Sequence, residues 1–213
     1  MDKKTPIFVT GIGTDVGKTI ASAIITKALD AEYWKPIQAG DLNNTDSMKV
    51  RSWITPNLVH AEAYQLNTPA SPHYAAEIDN IEILLNKAQL PESNKLLIIE
   101  GAGGIMVPIN QTELLVDAMA TFTKSCIVVS RHYLGSINHT LLTIEILKSK
   151  GFKVLGVLFN GDKNEATEKI IVQQTGVTHL GTIPWCTEIT QAFIQEQATR
   201  LKAILTHVVN QTT

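Results

Sequence analysis

Apolar runs alternate with helix-like patterns along most of the chain. Six apolar runs predict strands, at Ile7–Thr10, Tyr33–Ile37, Leu96–Ile99, Ile127–Ser130, Val154–Phe159 and His179–Ile183. Apolar residues that recur every three or four positions predict helices, at Lys18–Asp30, Ile81–Gln89, Glu113–Lys124, Ser136–Lys150, Asn164–Thr175 and Glu188–Val208. This alternation favours an α/β fold with one parallel sheet covered by helices on both faces. No repeat or linker divides the sequence, so we expect a single domain over residues 1–213.

Two further features refine this prediction. Gly151 and Gly176 fall where the C-terminal caps of two predicted helices belong. Residues 39–80 are polar and contain prolines, with only short helical fragments. A long irregular insertion in a compact domain is usually functional, so we expect this segment to contribute to a site.

Composition and charge exclude several classes of protein. The 18 Lys and Arg residues nearly balance the 20 Asp and Glu residues, giving a net charge of −2 without a long basic run, so no nucleic-acid partner is indicated. Cys126 and Cys186 are too few for a disulfide framework. No apolar stretch is long enough to span a membrane, and no signal-peptide pattern precedes the first strand. We therefore expect a cytoplasmic protein without a membrane partner.

The segment GIGTDVGKT, residues 11–19, lies between the first predicted strand and the first predicted helix. A strand, a glycine-bearing loop and a helix that starts with Lys-Thr form a cradle for nucleotide phosphates. Backbone N–H groups would face the phosphates, Lys18 would reach the β- and γ-phosphates, and Thr19 would bind Mg²⁺. Ile12 stands where the strict pattern has glycine. The alternative is an ordinary strand-to-helix turn with a chance lysine.

Polar residues also follow other predicted strands. Ligands of open parallel sheets bind at the carboxyl ends of the strands, where Lys35, Glu100 and Asn160 would lie, and Asp46 lies in the polar insertion. Each has an ordinary alternative, namely a solvated strand-end lysine for Lys35, a surface carboxylate for Glu100 and a helix cap for Asp46. Their placement at one edge favours a functional site. Since Mg²⁺ needs few protein oxygens, Thr19, Asp46 and Glu100 would satisfy it.

Several motifs along the chain together resemble those of a known family. The motifs GIGTDVGKT, WKPIQAG, NNTDS, TPASPH, IIEGAGGIMVP, LGSINH, FNGD and TIPW occur in the order seen in dethiobiotin synthetases, over about residues 6–186. The phosphate loop is common to many families, whereas EGAGG, KPIQ and LGSINH together are specific. The resemblance implies a phosphate-loop NTPase fold and a homodimer that acts in biotin synthesis. It also implies an ATP- and Mg²⁺-dependent ring closure of 7,8-diaminononanoate with CO₂, by way of a carbamate and a carbamic–phosphoric anhydride.

The resemblance implies roles for individual residues. Lys35, Lys18 and Thr14 are expected to be catalytic, with Lys35 and Thr14 at the carbamate. ATP binding is expected at Asp15, Val16, Gly17, Lys18, Thr19, Ile20, Asp46, Glu100, Gly101, Ala102, Gly103, Asn160, Gly161, Pro184, Trp185 and Cys186. Substrate binding is expected at Lys35, Ala39, Leu134, Gly135, Ser136 and Asn138.

The turn at residues 134–138 is expected to act across the dimer. In the family it holds the substrate carboxylate from the neighbouring subunit. Free N–H groups at a strand-to-helix turn suit a carboxylate without any lysine or arginine. Helix capping by Ser136 is the alternative interpretation.

This sequence departs from the family pattern at three points. Ala39 stands where Ser or Thr is common, so one hydroxyl contact to the substrate is missing. Asp15 stands where some members have Glu. The family acid near the ribose falls at Gln191 by counting, with Glu188 close enough to substitute.

Three rival functions remain on sequence grounds. A partitioning-type ATPase switch shares the fold, but it carries a signature lysine where this chain has Gly13. A cobyrinate-type or amidotransferase-like synthetase would need more length for a substrate domain. A non-catalytic nucleotide-binding module would not need Lys18, Thr19, Asp46 and Glu100.

Overall fold

A six-stranded parallel sheet forms the centre of the molecule. The computed structural model describes residues 4–211. The sheet has the order β2-β5-β1-β6-β7-β8, and every neighbouring pair is parallel. Its strands are β1 (Ile7–Gly11), β2 (Glu32–Trp34), β5 (Leu97–Gly104), β6 (Ser125–Arg131), β7 (Lys153–Asn160) and β8 (His179–Ile183). A second, two-stranded parallel sheet consists of β3 (Ile37–Ala39) and β4 (Tyr64–Leu66).

Helices cover both faces of the central sheet, as the sequence predicts. They are α1 (Lys18–Ala28), α2 (Asp46–Trp53), α3 (Pro72–Asp79), α4 (Leu115–Met119), α5 (Ser136–Ser149), α6 (Glu165–Thr175) and α7 (Gln191–Asn210). Side chains alternate across β1, so Val9 joins a buried cluster with α1 and α7, while Phe8 joins a separate cluster with α4 and α5. No helix among residues 4–211 is long and apolar enough to cross a membrane.

The predicted strand Tyr33–Ile37 is divided into two strands in different sheets. Its first part, β2, pairs with β5 at the edge of the central sheet, and its second part, β3, pairs with β4. Pro36 lies between them, where its missing N–H removes a ladder donor, and its carbonyl accepts from the N–H groups of Ala63 and Tyr64. The turn at Pro36 places Lys35 between the two sheets.

Two predicted helices are wrong or much shorter than expected. Ile81–Gln89 is a largely irregular segment with one 3₁₀ turn at Leu85–Lys87. Ile83 and Leu85 are both buried, so the apolar spacing there reflects an extended segment that alternates into the core.

The helix predicted at Glu113–Lys124 is observed only over Leu115–Met119, as α4. At its start, the N–H groups of Leu115 and Val116 bond the carbonyls of Val107 and Ile105. The first N–H groups of a helix have no partner within it, so these contacts satisfy the start of α4 at Leu115. At its end, the N–H groups of Thr121 and Phe122 make tighter bonds to residues three positions earlier.

Most other boundaries agree with the sequence within a few residues. The exception is β5, which runs to Gly104, five residues beyond the predicted end at Ile99, so Glu100 lies within the strand and not after it. Gly151 and Gly176 have φ values of 76° and 66°, so both predicted helix ends are confirmed as left-handed glycine positions. The insertion at residues 39–80 contains α2, β4 and α3 in addition to irregular backbone. It therefore has more regular structure than its polar sequence indicated.

A close contact between β7 and β8 gives a test of the packing. A Cβ atom added at Gly156 would lie 2.6 Å from the Thr178 carbonyl oxygen and 2.6 Å from Leu180 Cγ. We expect Gly156→Ala to lower the free energy of unfolding by about 1–3 kcal/mol, as overpacking does. Gly13→Ala is the control, because an added Cβ there has no atom within 4 Å. Equal denaturation midpoints for the two variants would contradict this packing.

Candidate active site

The phosphate loop runs from the end of β1 to the start of α1. Asp15 and Gly17 have positive φ values of 56° and 93°. A Cβ atom at Gly17 would lie 2.1 Å from Asn160 Nδ2, so this position accepts only glycine. The Lys18 ammonium donates to the Gly13 carbonyl at 2.7 Å. Lys18 thus lies across the inside of the loop, at the positive end of α1.

Four predicted residues meet beside this loop. Glu100 is buried within β5, and its Oε1 accepts from Thr19 Oγ1 at 2.9 Å and from Lys35 Nζ at 3.4 Å. Lys35 also forms a close ion pair with Asp46, the first residue of α2. The sequence placed Lys35, Asp46 and Glu100 at one sheet edge, and the structure brings them into contact.

The charged side chains in this cluster change one another's pKa values. Burial alone would lower the pKa of Lys35, but the carboxylates of Glu100 and Asp46 outweigh it and raise the pKa. Burial alone would raise the pKa of Asp46, but Lys35 more than offsets this and lowers it. Burial lowers the pKa of Lys18, and the charge of Glu100 offsets only part of that effect. Lys35 is therefore held as a cation by two carboxylates.

The oxygens of Thr19, Asp46 and Glu100 form a donor set that fits Mg²⁺. Magnesium prefers hard oxygen ligands and usually takes one or two carboxylates from the protein, with water and phosphate completing its coordination. Within residues 4–211, no cluster of three or more His, Cys, Asp or Glu residues suits a metal ion. A site with two carboxylates and one hydroxyl is the kind that depends on a phosphate ligand as well.

A cavity of about 670 Å³ opens over the cluster. The predicted site residues that line it are Thr14, Asp15, Gly17, Lys18, Thr19, Ile20, Lys35, Ala39, Asp46, Glu100, Ala102 and Gly103. Val16 and Gly101 are buried beneath this surface. Ala39 lines the cavity from β3.

Sequence reasoning missed three residues around the cluster. Tyr33 donates its hydroxyl to Glu100 Oε2 at 2.8 Å. Gln38 Oε1 accepts from the Asp46 N–H at 3.3 Å, and Lys49 Nζ lies 3.5 Å from Asp46 Oδ1. Only Lys49 could have been found from spacing, because it lies one helical turn after Asp46.

Asp46 and Ser136 do not cap their helices. The side chain that caps α2 belongs to Thr45, which accepts from the Met48 N–H. The cap residue of α5 is Gly135, with φ 102°, and no side chain caps this helix. Ser136 is buried, and its N–H bonds the Tyr133 carbonyl. The capping interpretation of Ser136 is therefore wrong.

The turn at residues 134–138 lies away from the cavity of its own chain. None of Leu134, Gly135, Ser136 and Asn138 lines that cavity. The Leu134 side chain is fully exposed, with a relative accessibility of 103%. The structure thus does not bring these four residues to the Lys35 cluster within one chain.

A second group of predicted residues lies on the other side of the phosphate loop. Asn160 Nδ2 donates to the Val16 carbonyl at 3.0 Å, and the Gly161 N–H donates to the Ile183 carbonyl at 2.9 Å. Pro184, Trp185 and Cys186 follow directly after β8, and Trp185 is exposed. Of the candidates near the ribose, Gln191 donates to the Ser52 carbonyl and Glu188 is exposed.

Glu168, in α6, ties together the loops on this side. It is buried and accepts from His132 Nε2 at 3.1 Å, His179 Nε2 at 2.7 Å, Thr182 Oγ1 at 3.1 Å and the Asn164 N–H at 3.2 Å. Burial alone would raise the pKa of Glu168, but the hydrogen bonds, first those from the two histidines, lower it. Nothing in the sequence pattern distinguished this glutamate from a solvent-facing helix residue.

Known proteins resemble the chain over nearly its whole length. A family model described as an AAA domain matches residues 5–192. A protein of Christiangramia forsetii named ATP-dependent dethiobiotin synthetase BioD is 47% identical over 203 residues, which cover 94% of this chain and 98% of that protein. A protein of the same name from Cytophaga hutchinsonii is 46% identical over 197 residues, covering 91% and 95%. The chain belongs to the dethiobiotin synthetase family.

Two solved structures share the fold of this chain at much lower sequence identity. The cell division ATPase MinD of Pyrococcus furiosus has a TM-score of 0.55 at 14% identity, covering 98% of this chain and 100% of that one. A plasmid partition protein from Borrelia burgdorferi has a TM-score of 0.59 at 13% identity, covering 96% and 100%. Identities this low show the fold alone. The partitioning-type alternative is thus only a distant structural relation.

Glu168 gives a prediction about acid sensitivity. We expect Glu168→Gln to lower the free energy of unfolding at pH 7 by about 1–3 kcal/mol, since an amide cannot satisfy the same donors. Because the folded pKa of Glu168 is lowered, its stabilisation is present at neutral pH and is lost as the pH falls below about 4.3 and through the folded pKa.

Denaturant unfolding between pH 7 and pH 3 would measure this difference. Glu165→Gln is the matched control, because Glu165 lies on the same helix but pairs only with Lys163 at the surface. The two curves for wild type and Glu168→Gln should converge in acid. A difference that stays constant with pH would contradict an ionised Glu168.

Proposed function

We propose that this chain catalyses the ATP-dependent closure of 7,8-diaminononanoate and CO₂ to dethiobiotin, with release of ADP and phosphate. Relatives named ATP-dependent dethiobiotin synthetase match almost the whole chain. The observation that carries the proposal is the contact of Lys35 with Glu100 and Asp46 in the cavity beside the phosphate loop. The whole chain would act as one synthetase domain.

The proposed chemistry proceeds in three steps. One substrate amine adds to CO₂ and loses a proton, which gives a carbamate. A carbamate oxygen then attacks the γ-phosphorus, and the bond to the β-phosphate oxygen breaks, which releases ADP and leaves a carbamic–phosphoric anhydride. The second amine attacks the carbamic carbon, loses a proton and expels phosphate, which closes the cyclic urea.

Two lysines would supply positive charge where the reaction needs it. Phosphoryl transfer depends mainly on positioning and on cations around the developing charge. Lys18 lies at the start of α1 and would contact the β- and γ-phosphates. Lys35, kept cationic between two carboxylates, would neutralise and orient the carbamate. Thr14, at the exposed side of the loop, would hold the other carbamate oxygen.

Thr19, Asp46 and Glu100 would hold the Mg²⁺ that accompanies ATP. The bound ion would supply further neutralisation of the phosphate charge. On the other side of the loop, Asn160 and Gly161 would bind the adenine base beside residues 184–186. Gly103 lines the cavity and has a φ of 68°, so its backbone would let the phosphates approach β5 closely. The missing side chain of Gly101 faces Phe8 in the core instead.

We also propose that the enzyme acts as a homodimer, with each active site completed by its partner. The turn at residues 134–138 does not line its own chain's cavity, and a fully exposed Leu134 leaves it available to another subunit. Gly135 precedes α5. The Ser136 N–H already bonds the Tyr133 carbonyl, and the N–H groups of the next residues in this first turn suit the substrate carboxylate. The small-molecule substrates suit a cytoplasmic enzyme that needs no nucleic acid and no membrane.

The activity itself is tested by product formation. Protein mixed with Mg²⁺, ATP, bicarbonate and 7,8-diaminononanoate should yield the cyclic urea by mass spectrometry, and phosphate release should require both the diamine and bicarbonate. Lys35→Ala should reduce product formation by roughly 10²-fold or more, while ATP affinity changes little, because Lys35 serves the transition state. Lys95→Ala is the control, since Lys95 pairs with Asp30 at the surface. If ATP binding and turnover fall equally, Lys35 only binds the phosphates of ATP, and its proposed role at the carbamate is wrong.

Subunit mixing tests the shared active site. Asn138→Ala should raise the KM for the diamine without changing ATP affinity. Gly135→Val, at a residue with φ 102°, should disrupt the turn and inactivate the enzyme. Inactive Lys35→Ala and Gly135→Val subunits mixed in equal amounts should regain roughly a quarter of wild-type activity, because half of the dimers would contain one intact site. Mixtures that stay inactive despite proven subunit exchange, or an active monomer, would overturn the arrangement.

A further inference from the structure

Tyr33 contacts the proposed metal ligand Glu100 from the buried core. Its side chain is fully buried in β2, and its hydroxyl donates to Glu100 Oε2 at 2.8 Å. The other carboxylate oxygen, Oε1, accepts from Thr19 and Lys35. The two oxygens of Glu100 therefore have separate partners, one within the core and one at the cavity.

The sheet fixes this geometry. Tyr33 pairs in register with Ile98 of β5, and Glu100 lies two residues further along the same strand, so the side chains of Tyr33 and Glu100 share one face. The Tyr33 carbonyl accepts from the His60 N–H at 2.9 Å, which ties the end of β2 to the insertion. Tyr33 and Val50 of α2 both belong to the buried cluster that includes the apolar face of α1.

The Tyr33 hydroxyl is the donor in its contact with Glu100. A carboxylate can only accept a hydrogen bond, and the fully buried Tyr33 side chain has no solvent to compete for its hydroxyl. The Glu100 side chain has no exposed surface, so water does not replace this donor. Without Tyr33, one oxygen of Glu100 would be buried without a partner, and the carboxylate would gain freedom to turn.

We propose that Tyr33 is a positioning residue that orients Glu100 for Mg²⁺ by holding Oε2 in the core and directing Oε1 toward Thr19. This inference rests on the proposed role of Glu100 in binding Mg²⁺. Residues that orient metal ligands typically contribute about 10–100-fold to metal affinity. Tyr33 would act only through Glu100, because it lines none of the cavity.

Mn²⁺ binding in the presence of ADP gives a direct test. Mn²⁺ replaces Mg²⁺ as a paramagnetic probe, and its free and bound fractions are read by electron paramagnetic resonance. Tyr33→Phe should raise the Kd for Mn²⁺ by about 10–100-fold, while the affinity for ADP without metal stays unchanged. Tyr64→Phe is the matched control, since that hydroxyl accepts from the Leu84 N–H away from the cavity. Wild-type Mn²⁺ affinity in Tyr33→Phe would overturn the proposal.

Glu100→Gln separates this inference from the proposed function. If Glu100→Gln leaves Mn²⁺ binding unchanged, the assignment of Glu100 to the metal fails, and the role of Tyr33 fails with it. If Glu100→Gln weakens Mn²⁺ binding and Tyr33→Phe does not, only the positioning role fails. Should Tyr33→Phe fold poorly, the wild-type protein provides the measurement. A slowly exchanging Tyr33 hydroxyl proton should shift in ¹H NMR on addition of Mg²⁺ and ADP, and an unchanged resonance would contradict the proposal.

Discussion

The buried carboxylate of Glu100 is the constraint on which the site depends. A charge without solvent contact is costly unless hydrogen bonds and an opposite charge compensate it. Thr19, Tyr33 and Lys35 provide that compensation, and they come from α1, β2 and the turn after β2. Satisfying one carboxylate thus fixes the phosphate loop, the edge strand and Lys35 relative to each other.

The insertion at residues 39–80 extends this constraint to a second layer. The small sheet of β3 and β4 positions Gln38, which contacts the backbone N–H of Asp46 at the start of α2. Asp46 in turn holds Lys35. A polar segment that would otherwise be a loose surface loop is therefore anchored to the charged cluster, which explains why it contains regular structure despite its composition.

The opposite side of the phosphate loop has its own anchor. Glu168 accepts hydrogen bonds from residues of β8 and from the segments after β6 and β7. The Asn160 side chain contacts the loop next to Gly17, where only glycine fits. The phosphate loop is thus flanked by one buried acid on each side. Glu100 contacts Thr19 at the start of α1, and Glu168 contacts β8 and the segments that follow β6 and β7.

The sequence by itself determined the features that depend on neighbours along the chain. The apolar runs and the GIGTDVGKT motif predicted the parallel sheet and the phosphate loop, because strand burial and the strand-to-helix turn are local properties. Lys35 and Glu100 were found because strand ends in a parallel sheet converge at one edge.

Tertiary structure alone decided the contacts between distant segments. The bond between Tyr33 and Glu100 joins residues 67 positions apart, and no periodicity records it. The apolar spacing of residues 81–89 resembled a helix, but burial of Ile83 and Leu85 in the core selected an extended path. The run from Tyr33 to Ile37 was one apolar segment in sequence, yet separate partner strands divided it at Pro36. In each case the deciding free energy comes from packing and hydrogen bonds with residues that the local pattern does not contain.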